Sequence, residues 1–267
     1  AKKLNLAVTK LDLRNSGDTA GSKDRVVGYG AWMLTNPTSK IKESDDVPLQ
    51  KKSSQAEQLD EINHERRNAE LLKEYGVYLL LLASASINHA IKHKSSLTIP
   101  LHNHPKEIRK TGACFITLKK FGQLRGCIGS PLAHRPLALD VTENAFNAAF
   151  NDPRFKKVTK EELAELEISI SLLSSPKPIH FKSEAELLNE IRPLIDGLII
   201  DDLGKKSLFL PSVWVQLPEP SEFLQRLKLK AGLSSTHWSP SFKAHRFVAA
   251  ELSMSDVFQT KFVTHNL

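Results

Sequence analysis

Cysteine is scarce in this chain, with only Cys114 and Cys127 among 267 residues. Two thiols build neither a disulfide framework nor a thiolate zinc site, and they point to a reducing compartment, the cytoplasm. Long apolar runs are missing too. The most apolar stretch, Val77 to Ala83, falls far short of the roughly 20 residues that a membrane-spanning helix needs, and no secretory signal pattern is seen. Nor are there internal repeats, a Gly-rich phosphate loop, a dinucleotide fingerprint or a radical-enzyme cysteine triad. Acidic residues are outnumbered, 30 against 37 basic ones, for a net charge of +7. The excess favours anionic partners, nucleic acid included, but the basic residues are spread along the chain without an aromatic-interleaved motif. What remains is a globular protein with enough apolar sequence for one large domain or two small ones.

Within that frame one stretch stands out, Leu124-Arg125-Gly126-Cys127-Ile128-Gly129-Ser130. The glycines around Cys127 remove Cβ bulk, so another molecule can come close to the backbone. Arg125 precedes the thiol by two residues and on an extended strand shares its face. A guanidinium there favours thiolate over thiol, the state in which cysteine is a nucleophile or a metal ligand. The alternative is packing, since free cysteine is among the most buried residue types and glycine marks close approach of layers.

The surroundings frame the motif as a strand end next to a loop. Gly112 to Lys120 reads as a buried strand, Phe121-Gly122-Gln123 as a turn, and the motif as the returning strand of a hairpin. Pro136 can then start a helix whose face carries Leu137, Val141, Ala145, Ala148 and Ala149. Asp152-Pro153-Arg154-Phe155 ends that helix, with Asp152 and Arg154 expected to pair. Capping boxes stand at Thr159 to Glu162 and Ser183 to Glu186. Asp202-Leu203-Gly204-Lys205 turns a second hairpin. A helix from Pro220 stops at Gly232, and Ala244 to Glu251 returns as a strand. Helices mixed with hairpins favour an α+β fold over a doubly wound parallel sheet.

Upstream, Asn63 to His93 carries apolar residues at three- and four-residue spacing, predicting an amphipathic helix or helix pair. His89 and His93 there, and His102 and His104 in the following loop, read as solvated side chains, because no third metal ligand is in reach by sequence. Residues 35–62, with Pro37, Pro48 and many Lys, Ser, Asp and Gln, have the composition of a linker. Residues 1–34 hold two stretches that read as strands, and residues 255–267 form a tail.

Residues Gly112 to Leu252 closely resemble the AMMECR domain family, the A component of AmmeMemoRadiSam systems. The resemblance rests on Leu124 to Gly129, Ala133 to Leu137, Glu143-Asn144-Ala145, Asp152 to Phe155, Glu167 to Leu173, Asp196-Gly197-Leu198, Phe209-Leu210-Pro211 and Trp214. It implies an α+β domain over residues 63–254 with two unequal lobes and an antiparallel sheet flanked by helices, the motif lying in an inter-lobe cleft. It implies no cofactor in that domain, and Memo-like and radical-SAM proteins as partners. Residues 1–34 are similar to the C-terminal region of Memo-like proteins, which resemble dioxygenases that bind a divalent metal. That likeness implies a remnant of a longer fusion, in which Asp18 is the nearest candidate for one ligand of an incomplete site.

Two function classes follow. In the first the protein is a cysteine-dependent enzyme or enzyme subunit, with Cys127 as nucleophile, Arg125 as its electrostatic partner and His134 as base or thiolate partner, while Gly126, Gly129, Ser130, Arg135 and Asn144 contact substrate. In the second it is a binding module that docks a partner protein or nucleic acid in the same cleft, where Arg125, Arg135 and Arg154 meet an anion and the thiol is inert.

Overall fold

The structure is a computed structural model that describes residues 7–15, 28–35 and 49–257, with side chains from residue 66 onward. The chain divides into two units, at Ser54/Gln55. In the first, strands β1 (Ala7–Asn15) and β2 (Gly28–Thr35) pair antiparallel with an irregularity between Lys10 and Asp12. Asp18 lies outside the described residues, as do residues 258–267 of the tail.

Helix α1 runs without interruption over Leu49–His93. It begins inside the stretch that composition assigns to a linker. The reason is visible in hindsight: after Pro48 the chain has no glycine or proline until Gly76 and is rich in Gln, Lys, Glu, Leu and Ala, residues that lose little on entering a helix. The pattern is one helix, not a pair.

The second unit has two lobes. The large lobe is a four-stranded antiparallel sheet in the order β12-β7-β4-β5, made of β4 (Cys114–Lys120), β5 (Gln123–Gly129), β7 (Leu166–Leu173) and β12 (Ala249–Ser253). Leu118, Ile116 and Ile170 are fully buried with Leu79, Ala83 and Ile87 of α1 and with Val141 and Ala145 of α2 (Leu137–Phe150). The small strands β3 (Thr111–Gly112) and β6 (Arg135–Pro136) pair beside it and lead into α2.

The small lobe has the sheet order β10-β9-β11-β8, from β8 (Lys177–Pro178), β9 (Gly197–Asp202), β10 (Lys205–Phe209) and β11 (Lys243–Phe247). Its core holds Trp214, stacked on Phe223 of α4 (Pro220–Lys230) at 3.8 Å between ring centres. The indole Nε1 donates to the Asp196 carbonyl at 2.7 Å, so the buried ring leaves no orphan N–H. Helix α3 (Glu184–Glu190) opens on the expected cap, with the Glu186 N–H donating to Ser183 Oγ at 3.2 Å.

Both expected hairpins turn on an X-Gly pair with positive φ, Phe121 (51°) with Gly122 (75°), and Leu203 (52°) with Gly204 (73°). Such turns match the twist of the strands they join. Two expectations change. Thr159 to Glu162 leads only to a short 3-10 turn, Leu163–Glu165, although the Thr159 N–H does donate to Glu162. The strand expected over Ala244 to Glu251 is two strands in different sheets, β11 and β12, parted at Val248, whose N–H and C=O are both taken by Ser174. A third apolar cluster joins the lobes there, uniting Phe115 and Leu173 with Ile199, Leu210 and Phe247.

Candidate functional site

Strand β5 is an edge strand, and it carries the motif from Leu124 to Gly129. Gly126 faces the core, where a Cβ would collide with the Ala148 carbonyl of α2, and a Cβ on Gly129 would enter the Phe115 ring. The glycines nominated as substrate contacts are therefore spent on the protein's own packing. Cys127 points to the opposite face, packs against the cluster between the lobes and is partly buried. Thr117, directly across the ladder, donates from Oγ1 to its Sγ at 3.4 Å.

Arg125 does not share the thiol's environment. The ladder pairs Leu118 with Gly126 and then Lys119 with Leu124, so Arg125 is the extra residue of a bulge, and a bulge re-aims its side chain. The guanidinium goes to Glu162 instead, donating from Nε and Nη2 at 2.9 Å each. That pairing, first among its causes, lowers the Glu162 carboxyl to about 2.

The groups that act on the thiol come from elsewhere. Arg154 donates from Nη2 to the Cys127 carbonyl at 3.2 Å, and Asp152 accepts from the Cys127 N–H at 2.9 Å. Asp152 and Arg154 pair as expected, at 2.7 and 2.9 Å, and together they occupy the outer edge of β5 as a neighbouring strand would. Burial pushes the Asp152 carboxyl up, but the hydrogen bonds from Arg154 and from the Cys127 N–H outweigh it and bring it to about 2. Lys230, in the last turn of α4, is the second cation. It is an exposed residue whose Nζ donates to the Leu208 carbonyl at 2.8 Å and lies 5.0 Å from the Phe209 ring centre. Desolvation by such neighbours lowers its pKa, and the thiol and Asp152 pull the other way.

The thiol itself is raised, burial being the largest cause, against the opposing hydrogen bond from Thr117 and the charges of Arg154 and Lys230. This corrects the expectation of a lowered thiol pKa: the cation predicted to stabilise the thiolate is committed to Glu162. Cys114 is fully buried on the other face and is raised further, again mainly by burial.

Ser130, Arg135 and Asn144 meet around a residue that sequence reasoning passed over, Asp140. Its buried carboxylate accepts from Ser130 Oγ (2.7 Å), Arg135 Nε (2.8 Å) and the Cys114 N–H (2.9 Å). Asn144 Nδ2 donates to the Cys114 carbonyl at 3.1 Å. These three nominated substrate contacts thus form an internal brace that fixes the exit of the motif. His134 is exposed, and its Nδ1 lies 3.0 Å from the Leu132 carbonyl in the loop, so this geometry enlists it for no step at the thiol. The signal for Asp140 was an acidic residue in the apolar stripe of α2; Thr117, Glu162 and Lys230 are 10, 37 or more residues from the groups they serve and left no local mark.

A groove of about 620 Å³ lies away from Cys127. It lies at the far end of the motif loop and is lined by Leu132 and Ala133, by Arg67 and Glu74 of α1 and by Lys110. Among the described residues no three His, Cys, Asp or Glu side chains converge as a metal site would require, and no helix is long and apolar enough to cross a membrane.

The profile of the AMMECR1 family matches residues 80–252. A protein of Methanothermobacter thermautotrophicus is 34% identical over 183 residues, which cover 68% of this chain and 95% of that one. Protein MJ0810 of Methanocaldococcus jannaschii is 35% identical, covering 67% and 90%. Among solved structures, the uncharacterized protein PH0010 of Pyrococcus horikoshii superposes with a TM-score of 0.63 at 31% identity, over 67% of this chain and 91% of that one.

Proposed function

The chain belongs to the AMMECR1 family, and we propose that its Cys127 face works as a binding module, holding an anionic group of a ligand or partner beside Lys230 and Arg154 while the thiol stays protonated. One observation carries the reading: Arg125 is paired to Glu162 through two hydrogen bonds, which leaves a thiol raised by burial and without a dedicated base. A nucleophilic cysteine needs the reverse arrangement. The Asp152–Arg154 pair holds both the N–H and the C=O of Cys127 along the outer edge of β5, which suits recognition, since a preorganised surface binds with less ordering cost.

A second reading has its own support. Thr117, Arg154 and Lys230 all favour the thiolate, so a ligand that draws the two cations closer would lower the thiol. In that form the protein is a cysteine-dependent enzyme or subunit of an AmmeMemoRadiSam system. The resemblance of residues 1–34 to Memo-like proteins, with Asp18 as candidate ligand, and the radical-SAM partner belong to this proposal.

The test is binding by the purified chain to a Memo-like protein, a radical-SAM protein and a short RNA. Lys230→Glu is expected to weaken one of these at least about tenfold, and Cys127→Ser to leave it within about twofold. Binding that survives Lys230→Glu, or a joint activity abolished by Cys127→Ser with binding intact, overturns the module reading.

A further inference from the structure

Strand β7 leaves the large-lobe sheet early, and the place it vacates is a notch beside β3. Up to Leu173 the ladder is regular: Cys114 pairs with Leu172, and the Leu173 N–H donates to the Ala113 carbonyl at 3.0 Å. Two residues further, the same register would set Ser175 opposite Thr111. It stops because Ser174 turns to Val248, giving its N–H to the Val248 carbonyl at 2.9 Å and taking the Val248 N–H on Oγ at 3.0 Å. Thr111 therefore pairs with a strand on one side only, β6.

That side takes nothing from the Thr111 backbone. Bonded and non-bonded pairs alternate along an antiparallel ladder. The Leu137 N–H donates to the Lys110 carbonyl at 2.9 Å, so the next pair, Thr111 with Pro136, is a non-bonded one, and Pro136 has no N–H to offer. The N–H and C=O of Thr111 both point away from β6, toward the notch, and neither has a partner among the described residues. Thr111 is exposed and lines the groove of about 620 Å³ that also takes in Ser174 and Ser175.

The groove suits a peptide main chain. Its volume lies within the roughly 300–1,000 Å³ of ligand sites. Leu71 of α1, Leu137 of α2 and Leu173 give it apolar contacts. Asn68, whose Nδ2 is committed to the Leu172 carbonyl at 3.3 Å, adds an acceptor in Oδ1. Its charged lining is mixed, Arg67 and Lys110 with Glu70, Glu74 and Glu107. Such a lining offers a polyanion no net attraction, whereas an uncharged backbone meets it without repulsion.

We infer that the notch at Thr111 is a docking site for an extended peptide segment of a partner protein, which pairs with β3 through the Thr111 N–H and C=O and lays an apolar side chain against Leu71, Leu137 and Leu173. In strand addition of this kind the main-chain hydrogen bonds supply affinity and the side-chain contacts supply specificity. The site is separate from the Cys127 face and does not rest on the reading of that face.

The test is selection of random hexapeptides displayed on phage against the full chain, with the enriched sequences synthesised and titrated calorimetrically. Thr111→Pro removes the N–H and keeps the carbonyl, and Lys110, at φ −68° and ψ 152°, already has the extended backbone that a residue before proline requires. It should weaken the peptides at least about tenfold. Thr111→Val keeps the N–H and should stay within about twofold, as should Lys230→Glu. On the unsubstituted chain, one N-methylated copy of each peptide should lose about tenfold or more, a readout that needs no variant to fold. If no sequence is enriched, or if Thr111→Pro and every N-methylated copy bind as before, the notch is not a docking site. If the loss appears in Lys230→Glu instead, the peptide belongs to the Cys127 face: the inference falls and the recognition reading stands.

Discussion

Two aspartates hold the two ends of the motif, and they differ in what they leave open. Asp140 is fully buried beneath the exit loop, where its carboxylate takes hydrogen bonds from Ser130, Arg135 and the Cys114 backbone. Asp152 sits at the edge of β5, binds the Cys127 N–H and pairs with an Arg154 whose side chain is 48% exposed. The same Asp–Arg chemistry thus closes one end and presents a cation at the other. A short motif can carry recognition at one residue and architecture at the rest, and Cys127 is where the two meet.

Unequal substitution effects are the first way to break this contrast. Asp140→Ala strands a half-buried guanidinium, a buried hydroxyl and a buried backbone N–H, and should cost about 3–5 kcal/mol in urea denaturation. Asp152→Ala leaves Arg154 able to reach water and should cost about 1–3 kcal/mol. Equal losses would mean that the two ends are braced alike. Gly126→Ala should fall in a similar range, about 1–3 kcal/mol, because its methyl group has to displace the α2 backbone at Ala148. A neutral Gly126→Ala would return that glycine to the role of ligand contact.

Acid sharpens the comparison further. The carboxyls of Asp152 and Glu162 are both lowered to about 2 in the fold, against about 3.9 and 4.3 in an unfolded chain. Lowered groups stabilise the fold fully above the unfolded values, and the contribution is lost as pH falls through the folded ones. Stability should therefore decline between about pH 4.5 and 2, and Asp152→Asn should shallow that decline. Denaturation midpoints across the window check it; an unchanged slope in Asp152→Asn would remove Asp152 from the account.

Much of the fold was legible because local signals agreed: the apolar spacing of α1 and α2, the X-Gly turns, the Ser183 cap and the stop at Gly232 each name an element without help from afar. The N-terminal reach of α1 was missed, since composition was read where helix propensity governs. The site was legible only in part. Cys127 and the Asp152–Arg154 pair were found because their partners are near in sequence or their chemistry is scarce. The face of Arg125 was misread because a bulge breaks the two-residue period, and nothing in Leu124-Arg125-Gly126 announces it. Lys230 was missed because it belongs to the other lobe, and only the fold brings its charge to bear on the thiol.

The state of the Cys127 thiol tests the central claim most directly, through the pH dependence of its alkylation by iodoacetamide, followed by mass spectrometry of each cysteine. The midpoint for Cys127 should lie above the ordinary thiol value of about 8.5, with Cys114 slower throughout. Lys230→Ala should push the midpoint higher still, and Arg125→Ala should leave it in place. A midpoint below about 8.5 that rises in Arg125→Ala would contradict the binding-module account and restore Cys127 as an activated nucleophile.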